Sequence, residues 1–479
     1  MKNIVCSLAT LCGVVTPCVT KADTPVQKPN ILVFIADDLG WEEIGAYGHP
    51  VVKTPNIDWL AQNGMRFDNF YLTASSSSPS RCSILTGMYP SCTGAANLHE
   101  NMPEHINLFP DRLHDNGYYT MLVGKSHGTN NPKVKQRFDY GKFINWSKPW
   151  TMVDLWKEAL NQRPKDRPFF MFAASIDPHR PYKQGEFEHP YHPKDVVVPP
   201  YLQDSPEMRE ELADYYDEIG RFDDHIGQVL DLLREEGSLE NTVIVVMTDN
   251  GRPFPQCKTR VNVQGLKSPF IVYYPSVVKK GTTTKSLASA VDIAPTFLEL
   301  AGVERAPGLQ GFSLVPVLEK PDTRVREYAF GEHNWHTFMS YERSVITEKY
   351  VYTKNWLSHL PNPSVGETMR MPAYKKMLES YLKGDLPMVQ QDCFIAPRPK
   401  EELYAIPSDI HCLKNLAEKK EMNTMVVKMR TALEVWQQSI GDRFPGEANL
   451  KQDISDRQTG EKLNEQTVKK NKKNKKEKK

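Results

Sequence analysis

Four short clusters in this 479-residue chain carry side chains that could do chemistry together: Asp37-Asp38, Lys125 with His127, Asp177 with His179, and Asp249-Asn250. The carboxylate and amide oxygens of Asp37, Asp38, Asp249 and Asn250 are hard ligands, which suit Ca²⁺ or Mg²⁺ better than zinc. They imply a divalent cation. His127 and His179 add groups that gain and lose a proton near neutrality, as a general acid or base must. One Asp after a strand is commonly a helix cap, and one His is commonly a satisfied structural residue. Four such clusters on one rim of a sheet would make an active site.

The elements that must carry these clusters are legible as five apolar runs, 30–36, 118–123, 168–175, 242–248 and 269–274. Because the runs are continuous rather than alternating, they are expected to be parallel strands buried on both faces. Helical patterns separate several of them. Over 206–236, Leu212, Tyr216, Ile219, Phe222, Ile226, Val229 and Leu233 recur at three- and four-residue steps until Gly237 closes the pattern. A second helix is expected over 292–301, with Pro295 in its first turn and Gly302 past its end. Strands alternating with helices predict an α/β fold with a doubly wound, mainly parallel sheet, whose ligands gather outside the carboxyl ends of the strands. Four of the five runs end in one of the clusters. After residue 319 the texture changes: a hairpin is expected across Glu348-Lys349, a strand at Glu402-Leu403-Tyr404 and a helix over 422–440. The expected organisation is a catalytic domain over 28–319, a smaller α+β domain over 320–455, and a disordered basic tail over 456–479.

Residues 1–22 read as a secretory signal: Lys2, an apolar run to about Val19, then Thr20 and Ala22 near the cleavage positions. The run is short and broken by Pro17, so a stable membrane span is not expected, and export to the periplasm or beyond is. Outside the leader stand Cys82, Cys92, Cys257, Cys393 and Cys412, an odd number without C-x-x-C spacing, which argues against a disulfide framework and a zinc site. The formal charge is +1, but 469–479 holds eight Lys and one Glu, and Lys2 and Lys21 lie in the leader, which leaves −8 on the rest. So acidic a body does not draw in nucleic acid, and an anionic substrate must be held by local cations.

The clusters belong to a longer series. Lys28-Pro29-Asn30-Ile31-Leu32 with Ala36-Asp37-Asp38, Ser77-Ser78-Pro79-Ser80-Arg81 followed by Leu85-Thr86-Gly87, Gly124-Lys125-Ser126-His127, Asp177-Pro178-His179 and Thr248-Asp249-Asn250-Gly251 stand in the order found in type I sulfatases. The chain resembles that family over 28–274. The resemblance implies an alkaline-phosphatase-like fold and a Ca²⁺ (less readily Mg²⁺) ligated by Asp37, Asp38, Asp249 and Asn250, with Ser77 completing the site as formylglycine (3-oxoalanine). One hydroxyl of the hydrated aldehyde would attack sulfur and the other would expel sulfate, which an ordinary Ser hydroxyl cannot do. It also implies Arg81, Lys125 and Lys258 as cations on the nucleophile and the sulfuryl oxygens, His127 as the base that drives sulfate elimination, and His179 as the acid that protonates the leaving atom.

Within the family, Asp177 to Arg180, Asn250 to Pro255, Met339-Ser340-Tyr341 ahead of Arg343, and Glu402-Leu403-Tyr404 with Asn415-Leu416-Ala417 resemble the heparan N-sulfatase branch. The expected activity is therefore release of sulfate from a sulfated glycosaminoglycan sugar, foremost the N-sulfate of glucosamine in heparan sulfate or heparin fragments. His99, Arg180, His333, His336 and Arg343 are the expected sugar contacts. The animal branch has Cys where this chain has Ser77, which implies maturation by the radical iron–sulfur enzyme of bacterial Ser-type sulfatases. The expected partners are that enzyme and a sulfated oligosaccharide. Three other readings stand beside this one: an O-sulfatase of another glycan, a phosphoester hydrolase of the same superfamily, and a glycan-binding protein in which Ser77 is never oxidised. For the second, the chain offers few of the extra His and Asp ligands that a two-metal site needs.

Overall fold

The computed structural model describes residues 28–129, 131–183 and 187–463. The expected leader over 1–22 lies outside them, as does the basic tail from residue 464.

The strands in chain order are β1 Asn30–Ala36, β2 Met65–Phe67, β3 Phe70–Tyr71, β4 Tyr119–Gly124, β5 Tyr140–Phe143, β6 Phe169–Ala174, β7 Thr242–Thr248, β8 Phe270–Tyr273, β9 Thr282–Thr284 and β10 Ala288–Ser289. Eight of them form one sheet in the order β5-β4-β6-β1-β7-β8-β2-β9, and β3 pairs with β10 apart from it. Strand β1 lies at its centre, parallel to β6 on one side and β7 on the other. The continuous apolar runs are explained by burial on both faces. Ile31, Val33 and Ile35 enter one core, and Leu32, Phe34 and Ala36 enter the other. The helix Pro206–Glu235 covers the second face; Ser205 starts it by accepting from the Met208 N–H, and Pro206 stands in its first turn.

One expectation is corrected. Strand β8 runs antiparallel to β7, not parallel. The chain leaves β7 at the carboxyl rim, makes only the short helix Val263–Leu266, and re-enters the sheet from the same end. Without a crossover helix the return strand must be antiparallel. Strands β2, β5 and β9 were not anticipated, since runs of three or four residues carry too little pattern.

The remaining strands, β11 Ala329–Trp335, β12 Met339–Ile346, β13 Tyr350–Asn355 and β14 Glu401–Ala405, form an antiparallel sheet in sequence order. The helix Asn423–Ile440 packs Val426, Met429, Leu433 and Trp436 against Val345, Tyr352 and Leu403 of that sheet. Residues 456–463, expected to begin a disordered tail, instead fold back: Ser455 bridges to Lys462, and Asp456 accepts from the N–H groups of Gln458 and Thr459. Among the described residues no helix is long and apolar enough to cross a membrane.

Candidate active site

Strands β4, β6, β1 and β7 are neighbours, so their carboxyl ends share one rim. Backbone hydrogen bonds continue the pairing past the strands and tie the clusters together. Asp37 N–H donates to the Asp177 carbonyl at 2.9 Å, Asp249 N–H to Ala36 at 3.2 Å, and Lys125 N–H to Ala174 at 2.9 Å. Ser77 opens the helix Ser77–Thr86, every residue of which is buried, and Gly87 ends it in the left-handed region at φ 67°. The N-terminal end of that helix favours negative charge at Ser77. Arg81 follows one turn later on the same face.

The buried polar centre is built from opposite charges. Ser77 Oγ lies 3.2 Å from Asp37 Oδ1, 3.0 Å from Asn250 Oδ1 and 3.4 Å from Lys125 Nζ. Lys125 is paired with Asp37, Lys258 Nζ stands 2.7 Å from Asp38 Oδ1, and Arg81 Nε donates to Asp249 Oδ2 at 2.7 Å. Asn250 Nδ2 donates to Asp38 Oδ1 at 2.6 Å. Asp37, Asp38, Asp249 and Asn250 are all fully buried. Burial pushes the Asp37 carboxyl up, but Lys125 and then His179 outweigh it and hold it below its ordinary value. Burial opposes the charge on Lys258, yet Asp38 and Glu367 raise its pKa.

This donor set fits a hard divalent cation: three carboxylates and an amide oxygen converge, and Asp37, Asp38 and His179 each place a ligand atom within 4.8 Å of the others. Three carboxylates already balance Arg81, Lys125 and Lys258. A divalent ion would leave an excess of two positive charges, which an ionised nucleophile and a monoanionic sulfuryl group would match. Arg81 Nη1, buried and without a partner, has capacity for one more acceptor.

Above the centre lies a cavity of about 360 Å³ lined by Ser77, Leu98, His99, Lys125, Ser126, His127, Trp146, His179, Lys258, His336 and Glu367. His127 Nε2 and His99 Nδ1 are 2.6 Å apart. Burial, and then the charge of Lys125, holds His127 well below the usual imidazole range, so it is neutral at pH 7 and able to accept a proton. His179 Nδ1 is bound to the Arg180 carbonyl, while Nε2 stands 3.9 Å from Asp38 Oδ2 and 3.6 Å from Glu367 Oε1. Trp146 sets its ring edge-on to His179, with centroids 5.4 Å apart, beneath Lys125 Nζ. Partial burial works against the Glu367 carboxylate, but Lys258, His179 and Arg180 outweigh it and bring its pKa down to about 2.

The sulfatase family profile matches residues 29–303, more than half of the chain and all four strand-end clusters. This chain belongs to the sulfatase family, hydrolases of sulfate esters and sulfamates. A second profile, the C-terminal region of N-sulphoglucosamine sulphohydrolase, matches residues 258–359. The sulfatase is 29% identical to human N-sulphoglucosamine sulphohydrolase over 458 residues, covering 86% of this chain and 90% of the other. It is 28% identical to an ulvan-active sulfatase of Formosa agariphila, covering 88% and 76%. Its fold is similar to that of a protein solved with its substrate D-glucosamine-2-N,6-O-disulfate, at TM-score 0.67 and 21% identity, covering 88% and 99%. A phosphonate monoester hydrolase of Agrobacterium radiobacter shares the fold too, at TM-score 0.65, 16% identity and coverage of 86% and 96%. The fold therefore hosts more than one chemistry, and the site must decide between them.

The sulfatase cavity gathers Ser77, Lys125, His127, His179 and Lys258 of the expected catalytic set, with Arg81 buried behind Ser77, and His99 and His336 of the expected sugar contacts. Three expected sugar contacts are not in its lining. Arg180 is bound to Glu211, the Pro253 carbonyl and Thr368 Oγ1. Arg343 is held by both oxygens of Asp442, and His333 is 4% exposed, its pKa lowered to about 4 by burial. Arg180 and Arg343 spend their donors on the protein, and His333 is buried away from the cavity lining. Trp146 and Glu367 line the cavity unanticipated. An aromatic in the loop after β5 was a weak signal for a sugar platform; Glu367, in the helix Gly366–Met369 and far from any strand of the sheet, offered none.

Proposed function

We propose that this sulfatase is an exported enzyme that removes the N-sulfate of glucosamine from heparan sulfate or heparin fragments. The observation that carries it is the joint match to N-sulphoglucosamine sulphohydrolase, along 90% of the human enzyme and through its C-terminal profile, whose matched residues include the cavity-lining Lys258 and His336. Ca²⁺ held by Asp37, Asp38, Asp249 and Asn250, with formylglycine at Ser77, would supply the Lewis acid and the nucleophile. The residues of this chain do the rest. Lys125, Lys258 and Arg81 bind the anionic sulfuryl group and meet the charge that grows on its oxygens. His179 offers Nε2 to protonate the leaving nitrogen, its ring fixed through Nδ1. His127, neutral and backed by His99, takes the proton released when sulfate is expelled. Trp146, a cavity-lining aromatic that stays partly exposed, offers apolar surface to the sugar ring.

Sulfate release should be measured on N-sulfoglucosamine and on the 6-O- and 2-O-sulfated sugars, with the mature protein weighed by mass spectrometry. The expected result is release from the N-sulfate, a Ser77 peptide lighter by two hydrogens, and an inactive Ser77→Ala variant. Release only from an O-sulfate overturns the substrate, and an active Ser77→Ala variant overturns the mechanism.

A further inference from the structure

Glu367 is an anion in a cavity otherwise built to hold an anion. Its Oε1 stands 3.6 Å from His179 Nε2 and 3.7 Å from Lys258 Nζ, ion-pair distances that are too long for hydrogen bonds. The carboxylate therefore keeps acceptor capacity while sitting beside both the expected leaving-group acid and a sulfuryl-binding cation. Its backbone does not wander. The Gly366 N–H donates to Thr337 Oγ1 at 3.2 Å, and Thr368 Oγ1 donates to the Pro253 carbonyl at 2.8 Å, so the residue is pinned from both sides.

A carboxylate so placed repels the bridging oxygen of a sulfate ester, which carries only lone pairs. It attracts the bridging nitrogen of a sulfamate, which carries a hydrogen. When the S–N bond breaks, the sulfuryl group passes to the nucleophile, the electron pair stays on nitrogen, and His179 Nε2 delivers a proton there. The amine so formed takes a further proton from water and leaves as an ammonium, a direct partner for Glu367. The geometry points to Glu367 as the residue that selects N-sulfates over O-sulfates, by accepting from the sulfamate N–H and then pairing with the product amine. This assignment rests on the N-sulfatase reading above and names the group that enforces it.

The test compares wild type with Glu367→Gln in kcat/KM for N-sulfoglucosamine, and in competitive inhibition by glucosamine and by N-acetylglucosamine, whose nitrogen stays uncharged. Loss of one charge-assisted hydrogen bond predicts about a 10–100-fold lower kcat/KM and weaker inhibition by glucosamine, with inhibition by N-acetylglucosamine unchanged. Unchanged kcat/KM and glucosamine inhibition overturn the assignment, and so does an equal loss of affinity for both sugars, which marks a structural role. A wild-type enzyme that cleaves only O-sulfates overturns this assignment together with the proposed function; a Glu367→Gln variant that cleaves the N-sulfate as well as wild type does overturns this assignment alone.

Discussion

His179 is held through one nitrogen and offers the other. Nδ1 meets the Arg180 carbonyl, and Arg180 is itself locked onto Glu211, so the imidazole cannot rotate away from the cleft. A group positioned to protonate the leaving atom matters in proportion to how poor the leaving group is. In His179→Gln, kcat on a sugar N-sulfate or alkyl sulfate is expected to fall about 10²–10⁴-fold, while turnover of an aryl sulfate such as 4-nitrophenyl sulfate falls far less. Equal losses on both substrates would show that His179 binds the sulfuryl group rather than delivering a proton. At this scale short motifs at strand ends point to Lys125, His127 and His179, and the Ser77-to-Arg81 series points to Ser77; the structure brings all four to one cavity. Arg343 and Arg180 stand outside the cavity lining for a physical reason: a sequence shows a cation but not the carboxylate, Asp442 or Glu211, that pairs with it. Trp146 and Glu367 reach the cavity only through the path of loops.

The strands hold their terminal residues tightly because the sheet leaves no slack at the rim. Gly124 ends β4 at φ 105°, and a Cβ there would stand 1.9 Å from the Ala174 carbonyl of β6. Lys125, the next residue, donates its own N–H to that carbonyl and carries its ammonium to Asp37. Any side chain at 124 must therefore push β4 from β6 just where Lys125 leaves the sheet. Gly124→Ala is expected to destabilise the fold by about 2 kcal/mol or more, since the positive φ and the contact both penalise Cβ. Denaturant midpoints and sulfate release measure the two consequences; a variant with wild-type stability and rate would show that the rim yields locally. The central strands could be read because burial on both faces forces continuous apolar runs. The direction of β8 could not, since direction depends on which end the connection returns to, and hydropathy does not record that.

Across the whole molecule the cavity is a joint product of the two sheets. The large sheet brings Lys125, His127, His179 and Lys258, and the C-terminal region brings His336 and Glu367. Arg260, two residues beyond Lys258, reaches Asp392 and the Asn362 carbonyl and so clamps one part to the other. A cation at Asp37, Asp38, Asp249 and Asn250 would sit beneath this seam, bound by the folded chain and not by the unfolded one, so its binding energy adds to the stability of the whole. At a Ca²⁺ concentration of 100 Kd the gain is about 2.7 kcal/mol, which for a chain of this length raises Tm by about 3 °C. Mg²⁺ prefers to keep several waters, and four fully buried protein ligands leave it little room, so the same concentration of Mg²⁺ is expected to raise Tm less. Chelation should reverse the Ca²⁺ shift and abolish sulfate release, and Asp249→Asn should lose the shift whatever its own starting Tm. A melting temperature indifferent to Ca²⁺ in wild type, with activity that survives chelation, would mean that Arg81, Lys125 and Lys258 alone balance these carboxylates in the working enzyme.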